Sequence, residues 1–409
     1  MTIFREVPAD SRITLDLNSN RYLRDRNLSI SVRSVDGLPL LAERPMYFRY
    51  HGWMDGGSDA FGQEEGHTSW YFPEGFTSDT HPFREYICIG NFGDYPARGT
   101  MTLLGAGGEG LEMEIEVDPG FRQTQYINSY IQGEVAVKLE TDRPVVAERS
   151  VYFRYNALEN GFTADGGHTK AGLNSLSRNW YFAEGHVGDG FEEWVSLANP
   201  NGEKASVTVT YYTPAGKWGE KGLSLAPETR NTLFVNEDFG VPGDVSVQVE
   251  SELPIACERA MYFNYNGSWD DGHASPGVLE SSTTWLFAEG SAYSGIDEYV
   301  LLVNTGRETA RVETRYLMGP GEGTYGAVYR IGPGQRVTVN VNRELSGFGL
   351  PSQVALEVDS DLPIVAERAM YFDMGRGDSG GEPIRGGHVS LGVQKASPQW
   401  YFAEAYTGK

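Results

Sequence analysis

Glutamate and arginine recur at fixed places along this 409-residue sequence, and paired carboxylates are groups that acid and base catalysis can use. Adjacent Glu-Arg pairs occur four times, in runs such as "PIVAERAMYF". Single glutamates follow an aromatic run, as in "WYFAEG", or precede the aromatic residue of another run, as in "FEEWVSLAN". The recurring charged residues are Glu43, Arg44, Glu148, Arg149, Glu184, Glu193, Glu258, Arg259, Glu289, Glu298, Glu367 and Arg368.

These charges allow two interpretations. In the first, a carboxylate pair does acid and base work, as in a glycoside hydrolase. In the second, the charges form structural ion pairs that fix the register of strands. Strand periodicity places Arg149 on the same face as Val151 and Phe153, and an arginine on an apolar face needs a carboxylate partner. Because the set recurs in every repeat, which an active site does not require, we predict structural ion pairs, no catalytic residues and no enzyme activity.

The elements that must position these charges repeat over a whole domain. Four similar aromatic runs begin at Trp70, Trp180, Trp285 and Trp400, at intervals of 105 to 115 residues. Solenoid and propeller repeats have periods of roughly 20 to 50 residues. The longer period therefore indicates one complete domain per repeat.

Each repeat contains seven runs that alternate in polarity and are separated by turn residues. Seven short strands in about 100 residues are typical of an antiparallel β-sandwich of immunoglobulin-like kind. We therefore predict an all-β chain of tandem seven-stranded antiparallel β-sandwich repeats, each of 105 to 115 residues. The predicted divisions are residues 1–69, a partial N-terminal repeat of four strands and a loop, with Ala9–Asn18 as one strand; residues 70–179, 180–284 and 285–399, three β-sandwich repeats; and residues 400–409, the first strand of a further unit.

The hydrophobic run Trp400-Tyr401-Phe402 stands where chains usually fray. Its place in the repeat predicts the opening strand of a unit whose other strands are missing, so the chain looks cut from a longer array. Its apolar face needs a partner. Either Trp400, Tyr401 and Phe402 form a subunit contact by strand addition to a neighbouring chain, or the preceding repeat keeps the strand and the domain border shifts.

A glycine-rich segment of about 27 residues separates the last strand of a repeat from the next aromatic run, and it is predicted to be an irregular linker or exposed loop. It carries His168, His273 or His388, with Ser58 at the matching place in the first copy. One histidine per repeat lacks a second ligand at metal spacing, so we predict a loop hydrogen bond and no metal site. We expect no cofactor. Ca²⁺ is the one alternative, because acidic stretches such as Asp55–Gly66 offer oxygen ligands, although without the regular spacing of a calcium loop.

Charge and hydropathy limit the possible partners. A net charge of −23 argues against nucleic acid and anionic membranes. No apolar run is long enough to span a membrane, and the start has no signal-peptide core, so an export signal would lie outside this sequence.

Three tryptophans predicted in loops, Trp53, Trp218 and Trp269, offer stacking faces for glycans. Residues 376–378 spell Arg-Gly-Asp, the integrin-binding tripeptide, with nothing else in the sequence to support that role.

The ordered motifs "WYFAEG", "EEWVSLANPN", "VTVTYYTPAG", "PETRNTLFVN", "LPIVAERAMYF" and "GGH" resemble the tandem β-repeats of a domain family of unknown function found in large exported bacterial surface proteins. The resemblance covers essentially the whole chain. It implies an extracellular or cell-surface location and a repetitive, non-catalytic role. We predict a structural or interaction protein, part of a stalk, surface layer, adhesin or filament, that associates with itself or with other surface proteins. The alternative is a carbohydrate-binding repeat array.

Overall fold

The computed structural model describes residues 1–108, 110–159, 161–318, 323–348, 352–375 and 383–408, so the Arg-Gly-Asp tripeptide lies outside the described residues. The described chain consists mainly of antiparallel strands, which confirms the prediction of an all-β protein. Its helices are single turns: α1 (Val235–Phe239), α2 (Val341–Glu344) and two 3-10 turns (Ile127–Ser129 and Ser346–Phe348). Within these ranges no helix is long and apolar enough to cross a bilayer.

Most strands belong to three large sheets, and each large sheet together with the short strands beside it forms one of units 1 to 3. Three strands precede them: β1 (Ile30–Arg33), β2 (Glu43–Tyr50) and β3 (Met54–Phe61). Unit 1 comprises β4 (His67–Phe72), β5 (Phe76–Thr77), β6 (Phe83–Gly90), β7 (Ala97–Gly105), β8 (Gly110–Val117), β9 (Arg122–Tyr126), β10 (Gly133–Asn156) and β11 (Thr163–Ala171). Unit 2 comprises β12 (Ser177–Phe182), β13 (His186–Val187), β14 (Phe191–Asn199), β15 (Ala205–Thr213), β16 (Gly216–Leu225), β17 (Thr229–Phe234), β18 (Gly243–Asp244), β19 (Ser246–Tyr265) and β20 (Trp269–Pro276). Unit 3 comprises β21 (Ser282–Phe287), β22 (Ser291–Ala292), β23 (Ile296–Val303), β24 (Ala310–Leu317), β25 (Thr324–Ile331), β26 (Arg336–Asn340), β27 (Ser352–Gln353), β28 (Ala355–Asp373) and β29 (Arg385–Leu391), and β30 (Gln399–Phe402) follows it.

One long strand organises each unit. In unit 1 the sheet order is β8-β7-β10-β6-β9, and β4, β5 and β11 also pair with β10. The first half of β10 pairs with β7 and β4, and its second half pairs with β6 and β11. In unit 2 the two alternating runs "VSVQVESELP" and "IACERAMYFNY" form the single strand β19. A register shift opposite Glu250 and Ile255 lets this strand bend without breaking.

A tryptophan anchors the core of each unit. Trp70, Trp180 and Trp285 are at most 1% exposed, and each donates its indole N–H to a carbonyl of the long strand region at 3.0 Å. Alternate residues of the strands pack around them, because successive side chains of a strand point to opposite faces. In β15, for example, Val207 and Val209 join the core of Trp180.

The glycine-rich segments are not the irregular linkers that the sequence predicted. Residues 163–171, 269–276 and 385–391 form β11, β20 and β29, each paired with the second half of its long strand. Glycine disfavours strands, so tertiary packing overrides the local signal here. Conversely, the run Ala9–Asn18 was predicted to be a strand, but it forms no strand and most of its residues are exposed.

The two ends of the sequence together form unit 4, which contains β1, β2, β3 and β30. Strand β30 pairs antiparallel with β1, with Val32 opposite Trp400 and Ile30 opposite Phe402, while β2 pairs with β3. Trp400 is 1% exposed and donates its indole N–H to Leu40 O at 2.9 Å. The strand predicted to lack its unit, or to contact another subunit, thus finds its partner in the N-terminal part of the same chain.

The four units close into a ring. Strands β3, β11, β20 and β29 lie together at its centre, each in contact with the next, and β29 contacts β3. Adjacent units also pack edge-to-face aromatic pairs against each other. The ring-centroid distances are 5.0 Å for Phe153–Tyr262, 5.1 Å for Phe263–Tyr371, 5.2 Å for Phe372–Tyr47 and 5.1 Å for Phe48–Tyr152.

Candidate functional site at the ring axis

A ring of ion pairs joins each unit to the next. The arginine of each Glu-Arg pair bonds the glutamate of the pair in the following unit, and unit 4 bonds unit 1. The distances are 2.6 Å for Arg149–Glu258, 3.0 Å for Arg259–Glu367, 3.2 Å for Arg368–Glu43 and 2.9 Å for Arg44–Glu148, with every side chain at most 9% exposed. The Glu and the Arg of one pair therefore contact different neighbouring units, because adjacent residues of a strand point to opposite faces.

The turn after each aromatic run completes these junctions. Its glutamate offers its backbone carbonyl to the arginine of its own unit and its backbone N–H to the glutamate of the next unit. The N–H donors are Glu74 to Glu258 at 3.0 Å, Glu184 to Glu367 at 2.6 Å, Glu289 to Glu43 at 2.5 Å, and Glu404 to Glu148. The C-terminal aromatic run thus supplies the fourth copy of the turn through Glu404.

The remaining predicted glutamates differ in their partners. The Glu184 carboxylate pairs with Arg259 at 2.8 Å. Glu193 and Glu298 are fully buried, but neither forms an ion pair among the described residues. Burial raises the pKa of Glu193 well above its usual value, with Arg259 opposing the rise. It raises the pKa of Glu298 to about 7, so burial shifts both groups toward the uncharged form.

Sequence reasoning missed a second set of arginines between units. They belong to the copies of "PETRNTLFVN", and each reaches back to the preceding unit. Arg336 bonds Gly185 O at 2.6 Å, Arg12 bonds Gly290 O at 2.9 Å, Arg230 pairs with Glu134 at 3.1 Å, and Arg122 bonds Ala405 O at 3.3 Å. The constant spacing between Arg and Asn in these copies was the sequence signal that could have identified these arginines.

At the axis, one buried carboxylate is held by all four units. Asp271 is 0% exposed. Its Oδ1 accepts N–H bonds from Gly167 at 3.1 Å and Gly272 at 2.8 Å, and its Oδ2 accepts from Gly57 at 3.3 Å and Gly387 at 3.1 Å. Burial raises the pKa of Asp271, and the four N–H bonds oppose that rise. The glycine-rich strands thus form a cradle of amides around a single carboxyl group.

Three histidines directly follow three of the glycines that donate to Asp271, namely Gly167, Gly272 and Gly387. His168, His273 and His388 are at most 2% exposed, and none of their ring nitrogens has a hydrogen-bond partner among the described residues. The predicted loop hydrogen bond is therefore wrong, because these histidines are buried in strands. Burial lowers the pKa of all three, that of His388 to about 3. The described chain has no cluster of metal-ligating side chains, here or elsewhere.

The buried histidines predict a specific acid sensitivity. An unfolded histidine takes up a proton below about pH 6.5, whereas folded His388 does not until about pH 3, so stability falls as the pH falls through this window. We expect His388→Ser, which copies Ser58, to reduce by about 2 kcal/mol the loss of unfolding free energy between pH 7 and pH 5. Urea unfolding at both pH values measures this difference. The exposed His81→Ser variant is the control, and an unchanged pH dependence for His388→Ser would contradict the assignment.

Lys170 lies two residues beyond His168. Ala60, Ser275 and Ser390 occupy the equivalent positions in the other units, and we call these four positions one level of the ring. These four residues face the arginines of the ion-pair ring across their sheets. Lys170 is 5% exposed, and its ammonium donates to the backbone carbonyls of Asp59, at 2.6 Å, and Val389. Burial lowers the pKa of Lys170 to about 8. A single cation therefore bridges the central strands of three units.

A cavity of about 650 Å³ opens above this level, and its walls include Ala60, Lys170, Ser275 and Ser390. Its size is within the usual range of small-molecule pockets. The sequence did contain a signal for this site. Lys170 and Asp271 are the positions at which one repeat departs from small residues in the other three, and aligning the repeats to look for exceptions would have found both.

The tryptophans predicted in loops are placed differently. Trp218 lies in β16 and Trp269 in β20, whereas Trp53 lies in the turn before β3. Trp53 is 41% exposed under the Arg154 guanidinium, 4.4 Å from the ring centroid, and Trp218 is 49% exposed beside Phe239. One face of each of these two rings is thus already covered.

The chain has only weak similarity to known proteins. No family model matches the chain, and no curated protein matches it. Among solved structures, it is similar to Thermotoga maritima 1070, at 22% identity over 26% of this chain and 94% of that one, with a TM-score of 0.22. It is also similar to the Anabaena sensory rhodopsin transducer, at 21% identity over 20% and 93% of the two chains, with a TM-score of 0.18. The major pilin of Streptococcus pyogenes matches 75% of this chain and 96% of its own at 8% identity, with a TM-score of 0.17.

Proposed function

We propose that the protein is a non-enzymatic structural and interaction protein of the cell exterior, made of four immunoglobulin-like β-sandwich units closed into a ring. The observation that carries the proposal is the junction of Arg149, Glu74 and Glu258, repeated at all four unit boundaries. The recurring Glu-Arg pairs, which have the most regular spacing of the charged residues, form ion pairs that join neighbouring units. Such a ring presents a rigid outer surface to partners, which suits a component of a surface layer or stalk.

The location is tested by antibody labelling of intact and permeabilised cells that produce the protein naturally. Labelling of intact cells supports a surface role, and labelling only after permeabilisation overturns it. A cytoplasmic protein labelled in the same samples controls for leakage.

Ring closure gives a second prediction. The amide hydrogens of β30 are expected to exchange as slowly, within about ten-fold, as those of the equivalent strand β12, because β30 is paired with β1 in the same chain. Hydrogen exchange with mass spectrometry measures both strands at two protein concentrations. Fast exchange typical of a frayed end, or protection that falls on dilution, would contradict closure within one chain.

Glycan binding is the second proposal, because Trp53 and Trp218 remain more than 40% exposed. A glycan array compared between the unmodified protein and Trp53→Ala tests it. Binding that is lost in the variant supports a glycan-binding role, and the absence of binding by the unmodified protein removes it.

A further inference from the structure

The axial cavity has three levels, and the lower two are built from equivalent positions of the four units. Its floor is the level of Lys170, with Ser275, Ser390 and Ala60. Each following residue also lines the cavity, and these residues, Phe61, Ala171, Pro276 and Leu391, form a half-buried collar of apolar side chains. Beyond the collar lie polar rim residues, including Glu64, Glu65, His67 and Lys395.

The floor offers one unused hydrogen-bond donor. Lys170 donates two of its three ammonium hydrogens to the backbone carbonyls of Asp59 and Val389. The third hydrogen has no acceptor in the described part of the chain. No described carboxylate forms an ion pair with it. The charged groups with the largest effect on the pKa of Lys170 are Asp59, Arg368, Glu43 and Glu367. A buried cation without a direct counter-ion, at the bottom of a cavity, favours an anionic ligand.

The hydroxyl groups of the floor do not compete for this ligand. Ser390 donates to Glu43 at 2.7 Å, and Ser275 donates to Glu367 at 3.2 Å. Both serines therefore satisfy glutamates of the ion-pair ring. Lys170 is the one floor side chain whose remaining donor is free to select a ligand.

We infer that the axial cavity binds a small organic monocarboxylate with an apolar body, whose carboxylate accepts the third hydrogen of Lys170 and whose body packs inside the collar of Phe61 and Leu391. The acidic side chains of the rim disfavour a ligand that carries a second negative group. Glu65 is exposed at the mouth, and Glu64 lies 3.5 Å from Lys395. A dicarboxylate would therefore bring its outer charge toward acidic side chains. This binding role is separate from the proposed surface role and does not depend on it.

Isothermal titration calorimetry with hexanoate, hexan-1-ol, hexylamine and adipate on the full chain tests the inference. Hexanoate is expected to bind at one site per chain, and at least ten-fold more tightly than each of the other three, because a hydrogen bond to a charged group adds at least that factor. Lys170→Ser, which copies Ser275 and Ser390, is expected to weaken hexanoate binding at least ten-fold. Lys170→Met, which keeps the length of the side chain, is expected to do the same.

Lys395→Ser is the matched control, because Lys395 lines the same cavity at the exposed rim. It should leave hexanoate binding unchanged within about two-fold, since exposed charges contribute little. The inference is overturned if the unmodified protein shows no hexanoate binding at millimolar concentration, or if hexan-1-ol binds as tightly. It is also overturned if both Lys170 variants bind hexanoate as tightly as the unmodified protein.

Discussion

Replacing Gly166 by alanine is expected to prevent folding, or to lower the free energy of unfolding by about 4 kcal/mol or more. A methyl group at this position would overlap Oδ1 of Asp271. The carboxylate has nowhere to move, because four backbone N–H groups hold it at the point where the central strands meet. Moving it would leave a buried carboxyl group and four buried donors unsatisfied.

The same substitution should cost far less when the carboxylate is absent. In a chain carrying Asp271→Gly, all four units have glycine at this level, as units 1, 3 and 4 already do at Gly166, Gly386 and Gly56. We expect Gly166→Ala to cost about 1 kcal/mol in that background, so the two substitutions are strongly coupled. Urea unfolding of the single and double variants measures the coupling.

Gly222→Ala is the control for this cycle. Gly222 lies in strand β16, is exposed, and has no atom within 4 Å of the position that a methyl group would take. Its replacement should change the free energy of unfolding by less than about 1 kcal/mol. Equal costs for Gly166→Ala with and without Asp271 would show that the carboxylate does not set the requirement for glycine.

Local patterns predicted the all-β fold because alternation along a strand is a local property. In β15, Ala205, Val207 and Val209 are buried while Ser206 is exposed and Thr208 is half-buried, as the alternation of the sequence predicted. The arginines were also recognisable, because Arg149 and its equivalents stand among apolar residues that must be buried. These inferences need no knowledge of which strands are neighbours.

Pairing between units was beyond the reach of those patterns. A buried arginine indicates a need for a carboxylate, but it does not say that the partner of Arg149 belongs to the next unit. The same limit hid ring closure, since the match of β30 to β1 joins residues from opposite ends of the sequence. The glycine-rich strands were missed because their stability comes from close packing at the axis rather than from strand propensity.

Replacing Arg259 by methionine is expected to lower the free energy of unfolding by about 3 to 5 kcal/mol. Arg259 is 0% exposed, between Glu184 at 2.8 Å and Glu367 at 3.0 Å. Its removal leaves two buried carboxylates of different units facing each other without a cation. Burial already raises the pKa of Glu184, with Arg259 opposing that rise, so its loss favours protonation and opening of the junction.

The exposed pair of Arg315 and Glu357 provides the control. Arg315 has a side chain 49% exposed, so Arg315→Met should cost at most about 1 kcal/mol. Chemical unfolding of both variants at pH 7 gives the comparison. Similar costs for the two arginines would contradict a role for the ion-pair ring in joining the units.

Removing the carboxylates together with the arginine separates the charge effect from packing. Buried ion pairs often contribute little net stability over apolar groups of similar size, whereas a lone buried charge is strongly destabilising. Arg259→Met combined with Glu184→Gln and Glu367→Gln should therefore recover at least half of the stability lost by Arg259→Met alone. Full recovery would assign the ring a role in selecting the order of units, and no recovery would mean that the arginine acts through its packing against Phe182.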